Sequence, residues 1–167
     1  MSLIFLIGYM GCGKTTLAKK LASKLSYEWL DTDAFIEKQE GITVSEIFSN
    51  YGENYFRSLE LKLIQSLDTS VPTIVSTGGG LPCFNNLMEQ LNQKGTTIYL
   101  ERSPKELFQR LHQGKTKRPL LVNKSDQELL QFIEENLEKR NPIYRQSNYI
   151  LDRDYQTVDK IINLLNI

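Results

Sequence analysis

The stretch Gly8-Tyr9-Met10-Gly11-Cys12-Gly13-Lys14-Thr15 constrains this chain more than any other, because it satisfies G-x-x-x-x-G-K-[ST] in full. A continuous apolar run, residues 2–7, precedes it. Behind it, residues 15–25 carry Leu17, Ala18, Leu21, Ala22 and Leu25 at helical spacing. The expected order is buried strand, glycine loop, helix. Glycines there permit positive φ, so successive N–H groups can turn inward, and the helix start adds its positive dipole end. Such a loop cradles phosphate. Lys14 is expected to reach the β- and γ-phosphates of a nucleotide, and Thr15 to offer its hydroxyl to magnesium, a hard cation that takes oxygen ligands.

Short apolar runs recur at residues 28–30, 73–76, 96–100 and 149–151, with helical patterns between most of them. That alternation predicts an α/β chain with a parallel sheet. Between Asp33 and Leu67 no strand pattern occurs. Helical pieces punctuated by Gly41 and Gly52 carry Phe48, Tyr51, Tyr55 and Phe56, and they read as an insertion after the second strand, about 33–60. Residues 112–124 hold Gly114, Lys115, Lys117, Arg118 and Pro119 without an amphipathic period, as expected of a mobile flap.

At 167 residues and 40% hydrophobic, the chain suits one core, so a single domain over 1–167 is expected. Lysine plus arginine equal aspartate plus glutamate at 20 each, which argues against nucleic-acid or membrane binding and makes anion recognition local. Cys12 and Cys83 suggest no disulfide framework, and the apolar start is too short, and lacks the basic flank, for a signal peptide or a span. A cytoplasmic monomer is the expectation.

The glycine loop, Asp31-Thr32-Asp33, Phe56-Arg57-Ser58-Leu59-Glu60, Ser76-Thr77-Gly78-Gly79-Gly80, Arg118-Pro119-Leu120-Leu121 and Arg140-Asn141-Pro142-Ile143-Tyr144 together resemble the shikimate kinase family, in order and spacing. The likeness spans essentially the whole chain. It implies a three-layer P-loop kinase fold with a central five-stranded parallel sheet in the order 2-3-1-4-5, a helical substrate-binding insertion and a lid at about 112–124. It also implies transfer of the ATP γ-phosphate to the 3-hydroxyl of shikimate, with Mg2+, in the chorismate pathway of aromatic amino-acid synthesis.

Residue by residue, the resemblance implies that Lys14, Asp33 and Arg118 are catalytic. Gly11, Cys12, Gly13, Lys14, Thr15 and Thr16 would contact ATP, joined by Arg110, Arg118 and Arg153. Thr15 and, through water, Asp31 would serve the metal, and Ser76 would help order water there. Asp33, Arg57, Glu60, Gly78, Gly79, Gly80 and Arg140 would bind the acceptor.

The chemistry agrees. Planar guanidinium groups at Arg57 and Arg140 suit a carboxylate, and a charged lid residue suits the charge on a transferring phosphoryl group. Three consecutive glycines after a strand cost chain entropy unless backbone must approach something closely. Local alternatives accompany several residues. Asp33 can cap a helix over 34–40 while also serving the acceptor, and Arg57 would otherwise read as half of an ion pair with Glu60. Arg110 reads equally as an adenine-side residue or a polar position on an amphipathic helix, and Arg153 lies in a loosely matching segment.

Two other readings are weaker. Residues 121–126 look like the N-K-x-D of a GTPase switch, but no glycine in the chain has an aspartate three positions earlier, so the D-x-x-G such switches need is missing. Asp126 then reads as the N-cap of a helix over 127–139. Gluconate and nucleoside monophosphate kinases share the phosphate loop, yet paired arginines with Asp33 and the glycine triplet suit a carboxylated polyol better. A catalytically dead scaffold is disfavoured because Lys14, Asp31, Asp33 and Arg118 are all present.

Overall fold

In this computed structural model, residues 3–113 and 124–167 are described. Five parallel strands form one sheet in the order β2-β3-β1-β4-β5, as expected: β1 Leu3–Ile7, β2 Glu28–Asp31, β3 Thr73–Ser76, β4 Thr96–Leu100 and β5 Tyr149–Leu151. β1 is central, with Leu3 opposite Thr73 on one side and Ile4 opposite Thr96 on the other. All five of its residues are buried. A strand covered on both faces has no use for polar alternation, which explains the unbroken apolar run. Each such side chain contributes roughly 1.5–3 kcal/mol when taken out of water.

Around the sheet lie α1 Lys14–Leu25, α2 Thr32–Glu40, α3 Val44–Tyr51, α4 Glu53–Ser66, α5 Leu87–Lys94, α6 Pro104–Gln113, α7 Asp126–Tyr144 and α8 Val158–Leu165. The main core joins β1, β3 and β4 to α1, α5, α6, α7 and α8. A smaller cluster of Ile36, Ile47, Phe56 and Leu63 sits inside the α2–α4 group. α2, α3 and α4 thus have their own apolar centre, and α4 joins the main core through Ile64.

Helix starts correct two sequence expectations. α2 is capped by Asp31, whose carboxylate accepts from the Ala34 N–H at 3.2 Å, so Asp33 does not cap it. Ser125, not Asp126, caps α7, in a capping box with Glu128. α7 also runs past the expected end at Lys139, through Pro142 to Tyr144. Arg140 is therefore fixed on a helix rather than in a loop. The expected flap, with Lys117, Arg118 and the Asn123 of the GTPase-like motif, falls almost wholly in residues 114–123, outside those described. Among the described residues no helix is long and apolar enough to cross a membrane.

Candidate active site

The strands of an open parallel sheet deliver their loops to one edge, and most of the predicted residues that are described gather there. The β1–α1 loop turns through Gly11 at φ 80° and Gly13 at φ 105°, conformations that a β-carbon resists. Cys12 is buried within the loop. Lys14 folds back over it, donating to the carbonyls of Gly8 at 2.7 Å and Tyr9 at 2.9 Å. An ammonium held at the loop centre sits where it can pass to a phosphate oxygen. Thr16 is exposed in the first turn of α1.

Beside the loop, Thr15 Oγ1 donates to Asp31 Oδ2 at 2.7 Å and lies 3.2 Å from Ser76 Oγ. Asp31 and Ser76 are register partners at the ends of β2 and β3, so strand pairing itself sets this trio. All three offer hard oxygen, the donor type magnesium prefers. No group of three or more His, Cys, Asp or Glu side chains capable of holding a metal occurs among the described residues. The trio therefore fits an ion carried mainly by phosphates and water, with one carboxylate and two hydroxyls beside it.

The glycine triplet follows β3. A β-carbon on Gly78 would lie 2.5 Å from Asp33 Oδ1, one on Gly79 3.2 Å from the Met10 N and 3.5 Å from Arg140 Nη1, and one on Gly80 2.6 Å from Arg57 Nη2. Gly78 thus gives way to Asp33 and Gly80 to Arg57, while Gly79 gives way to the Met10 backbone with Arg140 at ordinary contact distance. The turn is fixed by Thr32 Oγ1, which accepts from the Gly78 N–H at 2.8 Å, and by Tyr144, whose hydroxyl donates to the Gly79 carbonyl.

Asp33 Oδ1 is buried and without a hydrogen-bond partner. Burial, then the neighbouring Asp31 carboxylate, push its carboxyl up to about 6, with Glu37 adding to the rise and Lys14 and Arg57 opposing it. A carboxylate poised near neutrality and unsatisfied on one oxygen is equipped to take a proton from a hydroxyl.

Arg57 is buried in α4. Its Nη1 donates to Glu60 Oε2 at 2.7 Å, while Nε and Nη2 donate to Glu53 Oε1 at 3.3 and 3.1 Å. Glu60 is fully buried, and burial raises its carboxyl above the usual range against the pull of Arg57. Glu60 Oε1 has no partner, so the pair is not self-contained. Arg140 lies over the Tyr9 ring, 5.5 Å from its centroid.

On the other side of the loop, Arg110 Nη1 donates to the Gly11 carbonyl at 3.0 Å, and a β-carbon on Gly13 would lie 3.1 Å from that nitrogen. The helix therefore presents Arg110 to the phosphate loop. Arg153 is 71% exposed in its side chain and reaches Glu106 at 3.8 Å, at the rim. Sequence reasoning missed Glu53, although four residues before Arg57 on a helix is a readable ion-pair spacing. It also missed Tyr9 and Phe84 beside the arginines, and nothing in their local sequence marks them.

A phosphate loop opening on a parallel sheet of order 2-3-1-4-5, with a hydroxyl–carboxylate trio beside it and Asp33, Arg57 and Arg140 gathered along the glycine triplet, defines a P-loop kinase. The family model for shikimate kinase matches residues 10–166, and the chain belongs to the shikimate kinase family. A shikimate kinase of Bacteroides fragilis is 45% identical over 172 residues, 96% of each chain. A crystal structure of shikimate kinase from Bacteroides thetaiotaomicron superposes with a TM-score of 0.93 at 41% identity, covering 99% of both chains. Shikimate kinase from Acinetobacter baumannii, solved in complex with shikimate, gives 0.85 at 33%, covering 99% of this chain and 93% of that one.

Proposed function

We propose that the chain is a shikimate kinase, a single domain that transfers the γ-phosphate of ATP to the 3-hydroxyl of shikimate. The observation that carries this reading is the convergence of Asp33, Arg57 and Arg140 on three successive glycines. ATP lies along Gly11, Cys12, Gly13, Lys14, Thr15 and Thr16, with Arg110 and Arg153 on the nucleoside side. Arg57, oriented by Glu60, and Arg140 grip the acceptor carboxylate, and the bare backbone of Gly78, Gly79 and Gly80 makes room for the ring.

Asp33 aligns the attacking hydroxyl and accepts its proton. The hydroxyl oxygen bonds to the γ-phosphorus as the bond to the bridging oxygen breaks, and ADP leaves. Lys14 follows the phosphate oxygens from its seat on the Gly8 and Tyr9 carbonyls. Arg118, which lies outside the described residues, serves as the further cation for the transferring phosphoryl group. Magnesium, when bound beside Thr15, Asp31 and Ser76, supplies charge neutralisation on the phosphates. The enzyme acts as a cytoplasmic monomer in aromatic amino-acid synthesis.

The test is an ADP-release assay with shikimate, gluconate, AMP or no acceptor. Shikimate alone should drive turnover well above background. Equal rates across all four, or preference for AMP or gluconate, would overturn the assignment.

A further inference from the structure

The guanidinium of Arg57 is held in its own plane by two carboxylates. Of its five N–H donors, three are engaged: Nε and one on Nη2 by Glu53, and one on Nη1 by Glu60. Two remain, one on each Nη, and both of these nitrogens lie along Gly80, where a β-carbon would stand 2.6 Å from Nη2 and 3.0 Å from Nη1. In-plane hydrogen bonds fix where a guanidinium sits within its plane, but they resist tilting of that plane poorly. A planar two-point grip on a carboxylate needs the tilt fixed as well.

The Phe84 ring lies where it can supply that constraint. Arg57 Cζ stands 4.0 Å from the centroid of its ring, nearer than to Phe56 at 5.3 Å or Phe48 at 5.9 Å. Phe84 belongs to neither hydrophobic cluster and is about a third exposed, at 36%. Filling the core therefore does not explain it. It ends the short 3-10 turn Leu81–Cys83 that begins at Gly80, so one turn supplies both the bare backbone beside the two Nη nitrogens and the ring against Cζ. Asn85, at φ 51°, bends the chain back and donates from Nδ2 to the Arg57 carbonyl at 3.3 Å, tying that turn to α4.

We infer that Phe84 is a positioning residue that fixes the plane of Arg57 for the acceptor carboxylate. The inference rests on the reading of Arg57 as a carboxylate ligand and deepens it.

Four full-length variants test it: Phe84→Leu, Phe84→Tyr, Arg57→Ala, and Phe84→Leu combined with Arg57→Ala, with steady-state constants for both substrates. Phe84→Leu should raise KM for shikimate about three- to thirtyfold, the range of a cation–π contact. KM for ATP and kcat should stay near the parent values. Phe84→Tyr, which keeps the ring face, should restore the parent KM, and Phe84→Leu should have no further effect once Arg57 is alanine. Thermal melts check that each variant is folded.

If Arg57→Ala leaves the shikimate KM unchanged, the carboxylate reading fails and this one with it. If Arg57→Ala raises that KM but Phe84→Leu does not, only the positioning role falls. An equal effect of Phe84→Leu with and without Arg57, or a matching loss for ATP, makes the ring merely structural and overturns the inference.

Discussion

Glycine serves two different physical ends on the two sides of this site. In the phosphate loop, Gly11 and Gly13 adopt left-handed backbone, and the absence of a side chain buys conformation. In the triplet after β3, no glycine has positive φ, and Gly80 sits at φ −87°, ψ −20°, which any residue can adopt. There the missing β-carbon yields space to Asp33 at Gly78, to the Met10 backbone at Gly79 and to Arg57 at Gly80. One loop is shaped for a nucleotide's phosphates by its own dihedrals. The other is shaped by what folds against it, so its damage should appear in acceptor binding and proton transfer rather than in backbone stability.

The sharpest separation is expected at Asp33. Asp33→Asn should lower kcat about 10²- to 10⁴-fold, the usual range for loss of a general base, with little change in ATP affinity measured by nucleotide titration. The same change should stabilise the folded protein at neutral pH. The carboxyl is raised in the fold to about 6 from 3.8, so its ionised form is disfavoured there. Stability from this group is full below the unfolded value and declines as pH rises through about 6. At neutral pH the deficit is at most about 3 kcal/mol. Melts of Asp33→Asn and parent should therefore diverge more at pH 7.5 than at pH 4. In the parent, kcat/KM for shikimate should fall as pH drops below about 6. A lower melting temperature for Asp33→Asn at pH 7.5 would contradict this account of its environment.

Next in size, Gly80→Ala should raise KM for shikimate about ten- to a hundredfold by displacing a charge-assisted contact of Arg57. Its backbone is already right-handed, so no dihedral strain is added, and any fall in melting temperature should come only from loosening the buried Arg57–Glu60 pair. Gly11→Ala should do the converse: a forced left-handed alanine costs about 1–2 kcal/mol, which lowers the melting temperature by roughly 2–8 °C and weakens ATP. If Gly80→Ala proved as destabilising as Gly11→Ala while leaving shikimate KM intact, the contrast between the two loops would collapse.

Most of the fold was legible because its signals are local. The apolar run of β1, the glycine loop and the 3.6-residue period of α1 each lie within a dozen residues, and all five strands fall within a residue or so of expectation. Errors occurred where neighbours compete for one role. Asp31 and Asp33, or Ser125 and Asp126, offer similar capping oxygens, and only backbone geometry chooses between them. The extension of α7 was missed because proline usually ends a helix, whereas here it sits in the last turn. The acceptor residues were found through the family's pattern. Without it, Arg57 and Glu60 read as an ordinary helix pair.

The sequence by itself determined the strand–loop–helix unit, the parallel α/β class and the phosphate chemistry, because dihedral demands and hydrophobic period are written in neighbouring residues. The tertiary structure decided what those elements present to one another. Strand register set Asp31 beside Ser76, α2 pressed Asp33 against Gly78 and raised its carboxyl by burial, and one turn of chain set Gly80 and Phe84 around Arg57. Charge, burial and close approach depend on residues distant in the chain, and only packing brings those together.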